Sequence, residues 1–211
     1  CGLNDETRVI YTSDHGDNLG SRGLWGKSTM YEEACGVPTI IAGPGVPKNK
    51  VCETPISHVD FYPTILEATG QPLDAEERQF PGRSLFKIAA AQDDEERIAF
   101  AEYHGMGSST GAFMVRAGRY KYIYYAAFPA QLYDLEADPE ELTDLAGEPA
   151  YQPVVEAYHA KLLSICDPQR VDAAAKKRQA ELLALNGGRE AVIARADLGF
   201  SPPPGVAADM N

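Results

Sequence analysis

Asp14 and His15 are adjacent, follow an apolar run and precede Gly16, within the stretch "YTSDHGDNLGSRGLWGKSTMYEE" of residues 11–33. A carboxylate oxygen and an imidazole nitrogen make a workable pair of donors for a divalent cation, and Gly16 lets the backbone turn away from them. Two neighbouring residues cannot complete a coordination sphere, so the remaining ligands must come from elsewhere. Lys27 follows a stretch punctuated by Gly20, Gly23 and Gly26. An ammonium on such a loop is suited to meeting an oxyanion as a point charge. Each residue taken singly has a plainer reading: an Asp after a strand caps a turn, Lys27 is a solvated lysine and Trp25 a core aromatic. Taken together, in this order and spacing, they point to a site.

The elements that must carry these residues are short. Residues 7–13 (TRVIYTS) and 37–42 (VPTIIA) are apolar and each runs into a glycine-rich loop, which reads as two buried strands of a sheet covered on both faces. Residues 57–70 (SHVDFYPTILEATG) have a polar start, Pro63 in an early turn and a closing glycine, the marks of a helix with both ends. His58 and Asp60 at its start read as capping and packing residues. A turn-rich connector and a solvated acidic stretch follow. Short strands over residues 98–103, 112–116, 119–125 and 131–135, with a tight turn at Ala117-Gly118, then predict a small antiparallel sheet. A helical region is expected from Asp138 through "PVVEAYHAKLLSIC", and another helix from Asp167 or Pro168 to Gly187-Gly188. The closing "SPPPGVAADMN" reads as an extended tail.

The composition is globular, with 44% hydrophobic and 24% charged residues in a chain of 211. A formal net charge of −12 argues against nucleic acid or an anionic membrane surface as partner. The longest apolar stretch, residues 37–46, is cut by Pro38, Pro44 and two glycines, far short of the roughly 20 apolar residues a bilayer crossing needs. Cys1, Cys35, Cys52 and Cys166 match no metal or redox spacing. Scattered reduced thiols favour a cytoplasmic location, with the periplasm left open.

The run "YTSDHGDNLGSRGLWGKSTMYEEACGVPTIIAGPG" resembles the second signature of the type I sulfatases, and "SHVDFYPTILEATG", "FPGRSL", "RAGRYKYIYY" and "QLYDLEADPEELTDLA" follow in that family's order. The resemblance covers most of the chain up to about Ala146. It implies an α/β fold of the alkaline phosphatase and sulfatase kind. Residues 1–95 would then be the C-terminal part of a mixed sheet with flanking helices, 96–187 a small antiparallel sheet with helices, and 188–211 a tail. It further implies that Asp14 and His15 bind the catalytic cation, with calcium usual and manganese or zinc in phospho-relatives, and that Lys27 contacts the sulfate. His104, in "AEYHGMGSS", stands at a strand end from which it would reach the leaving group, the plainer alternative being a loop histidine without a function. Sulfatases also carry, upstream of the Asp-His pair, a cysteine or serine oxidised to formylglycine, which attacks sulfur, and a pair of metal-binding aspartates. The thirteen residues before Asp14 contain neither.

"CDPQR", residues 166–170, fits a shortened version of the formylglycine context, but it lies on the wrong side of Asp14 in chain order, and Pro168 is explained as a helix-starting residue. The expectation is therefore the C-terminal half of a sulfatase acting on a small sulfate ester, silent alone, with the N-terminal half of the same protein as its partner. Exposed surfaces and self-association into a homo-oligomer go with that expectation. A phosphonate monoester or phosphodiester hydrolase of the same superfamily, or a non-catalytic binding module, are the alternatives.

Overall fold

The computed structural model describes residues 2, 3, 5–105 and 108–195; the expected tail, residues 201–211, lies outside them. Two compact units result, one ending at Pro168 and the other beginning at Gln169.

In the first unit, β1 (Val9–Tyr11) and β2 (Ile40–Ala42) pair antiparallel, with Ile10 opposite Ile41. The sheet covered on both faces that the apolar runs predicted is not seen among the described residues. Val9, Tyr11 and Ile40 are 57%, 62% and 62% exposed, because the two strands pair only with each other. Between them a loop closed by backbone bonds from Asn18 N–H to Gly26 O (2.8 Å) and from Gly20 N–H to Leu24 O (2.9 Å) leads to the short helix α1 (Glu32–Cys35). Trp25 stands 78% exposed on this loop rather than in a core.

The predicted helix over residues 57–70 is present as a tight turn at His58–Asp60 followed by α2 (Phe61–Ala68), with Gly70 in the left-handed region at φ 71°. Ser57 and Asp60 form a reciprocal capping box at its start. Asp60 does more than cap. Wholly buried, its carboxylate accepts from Ser57 N–H (2.9 Å), Arg83 N–H (2.8 Å) and Arg97 Nη2 (2.6 Å). Thr64 Oγ1 accepts from Leu85 N–H (2.8 Å) and so ties α2 to α3 (Leu85–Ala90). Both ties cross more than a score of residues, beyond the reach of a local sequence reading.

The antiparallel sheet is present as expected: β3 (Ala99–Tyr103), β4 (Ala112–Ala117), β5 (Tyr120–Tyr125) and β6 (Phe128–Asp134), in that order. Gly118, at φ 49°, makes the tight turn between β4 and β5. One face carries a cluster of Met30, Ala112, Met114, Ile123 and Tyr133, so the loop that bears Lys27 is glued to this sheet by the methionine three residues on. The other face takes α4 (Gln152–Ile165), whose Tyr158 hydroxyl donates to Ala117 O and whose His159 Nδ1 lies 3.1 Å from the Tyr122 hydroxyl. The helical region predicted from Asp138 begins only at the turn Pro149–Tyr151. Residues 138–141 form a turn instead, with Glu141 at φ 52° and its side chain fully buried, a backbone state that cannot propagate a right-handed helix.

The second unit holds α5 (Pro168–Leu185), apart from its first residue, and α6 (Gly188–Ala194), a helix where the tail expected over residues 188–211 was to begin. Pro168 opens α5 and Gly187, at φ 87°, closes it, as the sequence predicts. No described helix is long and apolar enough to cross a membrane.

Candidate active site

Asp14, His15 and Lys27 line one open cavity of about 590 Å³, together with His58, Tyr103 and Arg116. Asp14 and His15 sit just after β1. Gly16 is fixed there because its N–H donates to Ala34 O (2.9 Å) and a Cβ would come within 2.0 Å of Glu33 O. Only a residue without a side chain lets the strand end lie this close to α1.

The imidazole of His15 has a defined proton arrangement. Its Nδ1 is 2.8 Å from Gly16 O, which can only accept, so Nδ1 carries the proton and Nε2 presents its lone pair. That lone pair meets Lys27 Nζ at 2.6 Å and lies 3.3 Å from Asp14 Oδ2. An ammonium, an imidazole nitrogen and a carboxylate oxygen thus converge on one point of the cavity wall. The Asp14 side chain is 83% exposed, and although partial desolvation works the other way, hydrogen bonds from the His15 N–H (3.0 Å) and the Ser13 hydroxyl hold its carboxyl below the usual range. Asp14 therefore presents a full negative charge at neutral pH.

The donors fit a divalent cation in type: carboxylate oxygen beside an unprotonated ring nitrogen, already facing a cationic group. They do not suffice in number. Among the described residues no group of three or more His, Cys, Asp or Glu side chains is arranged to hold a metal ion.

The structure separates His104 from the other candidates. Its ring packs edge-on against Phe113 (5.3 Å between centroids), with its Nε2 3.7 Å from Glu102, and it does not line the cavity, though Glu102 and Tyr103 beside it do. His58 is the converse case. Its Nε2 donates to Ser13 O (2.8 Å), 45 residues away, and it lines the cavity wall next to Asp14. Nothing within its own segment signals that role. The Tyr103 hydroxyl, 2.9 Å from Ser28 Oγ, joins β3 to the lysine loop and is equally long-range.

Neither Cys35 nor Cys166 is poised as a nucleophile. Burial pushes the Cys35 thiol up, and burial with the nearby Glu102 and Asp167 charges does the same to Cys166, so both remain thiols at neutral pH. Cys166 caps α4, its N–H donating to Leu162 O (3.0 Å), which agrees with the structural reading of "CDPQR".

Comparison with known proteins finds that the family model "N-sulphoglucosamine sulphohydrolase, C-terminal" matches residues 20–167, a span that includes Lys27 and begins just after Asp14 and His15. Choline-sulfatase of Rhizobium meliloti is 37% identical over 83% of this chain and 35% of its own length. Arylsulfatase K of Bos taurus is 34% identical over 82% of this chain and 33% of its own. Among solved structures, a 2-O GAG sulfatase superposes with a TM-score of 0.65 at 29% identity, over 78% of this chain and 37% of that one. The phosphonate monoester hydrolase of Agrobacterium radiobacter gives 0.64 at 30% identity, over 77% and 35%. The chain spans about a third of the length of the curated relatives it matches.

Proposed function

The chain belongs to the N-sulphoglucosamine sulphohydrolase C-terminal family, the C-terminal part of sulfatases with the alkaline phosphatase-like fold, and from that premise we propose that it supplies one wall of a sulfate ester hydrolase site. The observation that carries this reading is the convergence of Lys27, His15 and Asp14 on one cavity. Lys27 holds the sulfate oxygens as a point charge and offsets the negative charge that builds on them as the S–O bond to the alcohol breaks. With no cation bound, the His15 Nε2 lone pair accepts from that ammonium, and the ring is fixed by Gly16 O. Asp14 and His15 would hold a divalent cation, calcium by family habit, together with ligands from the rest of the complete protein; the one Nε2 lone pair would then pass from Lys27 to the ion and leave the ammonium to the sulfate. Bound there, such an ion polarises the sulfate oxygens as a Lewis acid. The nucleophile, a formylglycine on this reading, and an acid for the leaving alcohol belong to the segment outside these residues.

His104, outside the cavity lining, is assigned a packing role with Glu102 and Phe113. His58 and Tyr103 shape the wall. A second reading, a phosphonate monoester hydrolase, has one specific support: the fold likeness to such an enzyme is as strong as that to the sulfatase. The names of the curated relatives favour the sulfatase reading.

The test is complementation. The 211-residue chain is assayed on an aryl sulfate alone and within the full gene product, which is also digested and weighed to locate a formylglycine. Turnover confined to the full product, with the aldehyde upstream of Asp14, supports the reading. Turnover by the 211-residue chain alone, or an unmodified nucleophile with preference for a phosphonate monoester, overturns it.

A further inference from the structure

The loop carrying Lys27 is gripped from behind by a buried charge network that plays no part in the proposed chemistry. Lys121, on β5, has an ammonium with no exposure at all, held 2.8 Å from Glu141 Oε1 and 2.8 Å from Glu32 Oε1. The second oxygen of Glu141 accepts the backbone N–H of Glu32 at 2.7 Å, the first residue of α1. From the other side Arg22 donates to the backbone oxygens of Glu140 and Glu141, lies 3.5 Å from Glu33 Oε1, and stacks 4.3 Å from the centre of the Tyr31 ring. The turn at residues 138–141 therefore holds the lysine loop at two points, Arg22 before Lys27 and Glu32 after it.

Burying two charges, Lys121 and a left-handed Glu141, costs stability that an apolar core would not, so the arrangement calls for a reason beyond packing. Its geometry supplies one. The near end of α1 is bolted to Glu141, while its far end, at Ala34 O, receives the N–H of Gly16 beside His15. We infer that Glu141, with Lys121 and Arg22, is a positioning element that sets Lys27 and His15 relative to each other at the cavity. This rests on the proposed role of Lys27. Glu141 touches neither substrate nor metal on this account. It acts through α1 and the loop.

The experiment is a double-mutant cycle in the full gene product, with kcat and KM measured on an aryl sulfate. Glu141→Gln keeps an oxygen for the Glu32 N–H but leaves the buried Lys121 ammonium with Glu32 as its one remaining carboxylate partner, and Arg22→Ala releases the loop from its outer side. Each is made with Lys27 present and with Lys27→Ala, and folding is checked by circular dichroism. Misplacing a reacting group by about an ångström costs up to roughly a hundredfold, so each single variant is expected to lower kcat/KM about ten- to a hundredfold. In the Lys27→Ala background the same substitutions are expected to change little, because the group they position is gone. Equal losses in both backgrounds, or folded single variants with wild-type kcat/KM, overturn the inference and leave the role of Lys27 standing. Lys27→Ala with full activity overturns both, and is told apart by that single measurement. Should Glu141→Gln fail to fold, the Arg22→Ala cycle decides alone, since the Arg22 side chain is already 18% exposed and its loss buries no unpaired charge.

Discussion

Replacing Asp60 by Asn keeps the shape of a wholly buried side chain while removing its charge. The native carboxylate accepts from Ser57 N–H, Arg83 N–H and the Arg97 guanidinium, 2.6 Å away and only 12% exposed. In the variant one of the two oxygens becomes an amide that can only donate. It then faces either a backbone N–H or the arginine, and the arginine loses its counter-charge. Breaking a buried pair from one side costs about 3–5 kcal/mol, a large part of a total domain stability of about 5–15 kcal/mol. Urea denaturation of wild type, Asp60→Asn, Arg97→Gln and the double variant, followed by circular dichroism, reads this directly. Each single variant is expected to lose several kcal/mol. The double variant is expected to lose clearly less than their sum, because no charge is then left stranded. The activity of the full gene product should fall as well, since Asp60 anchors the turn that holds His58 in the cavity wall. Single variants within about 1 kcal/mol of wild type would refute the reasoning, since a broken buried pair cannot cost so little.

Further outcomes follow from the same structure. Burial pushes the hydroxyls of Tyr122 and Tyr158 up from 10.0 to about 12. Their folded values lie above the unfolded ones, so the stabilisation is complete below pH 10 and is lost as pH rises towards about 12. Alkaline titration of folding should show that loss, with Tyr122→Phe flattening it. Gly16→Ala forces a Cβ to within 2.0 Å of Glu33 O and is expected to cost about 1–3 kcal/mol of stability along with activity, checked by thermal melts and aryl sulfate turnover. Trp25, the only tryptophan, should emit as an exposed indole and be quenched freely by acrylamide in this chain. A blue-shifted, protected emission would contradict the loop geometry. Chelation of divalent cations should inactivate the full gene product, with calcium restoring turnover, and Asp14→Asn should raise the calcium concentration needed.

Local chemistry was legible in the sequence wherever the cause was local. The capping role of Asp60, the turn at Gly118, and the start and stop of α5 at Pro168 and Gly187 depend on residues within a few positions, and the structure places them as read. Asp14, His15 and Lys27, which lie within one loop excursion, line the same cavity. The readings that changed were those decided by distant partners. Residues 138–141 carry helix-starting composition, yet the pull of Lys121 and Arg22 on Glu141 holds them in a turn. Residues 7–13 read as buried strand because they are apolar, but burial also requires neighbours, and among the described residues β1 pairs with β2 alone. His58 and Tyr103 join the site through contacts 45 and 75 residues away, which no local pattern encodes.

The most direct test of the account is the kcat/KM of the full gene product for an aryl sulfate, wild type against Lys27→Ala, with a phosphonate monoester run in parallel. Removing one preorganised charge that stabilises a transition state costs about a hundred- to a thousandfold. The account predicts a loss of that size on the sulfate ester, with the phosphonate the poorer substrate for wild type. Unchanged sulfate turnover in Lys27→Ala, or a wild-type enzyme that hydrolyses the phosphonate and leaves the sulfate intact, would contradict it.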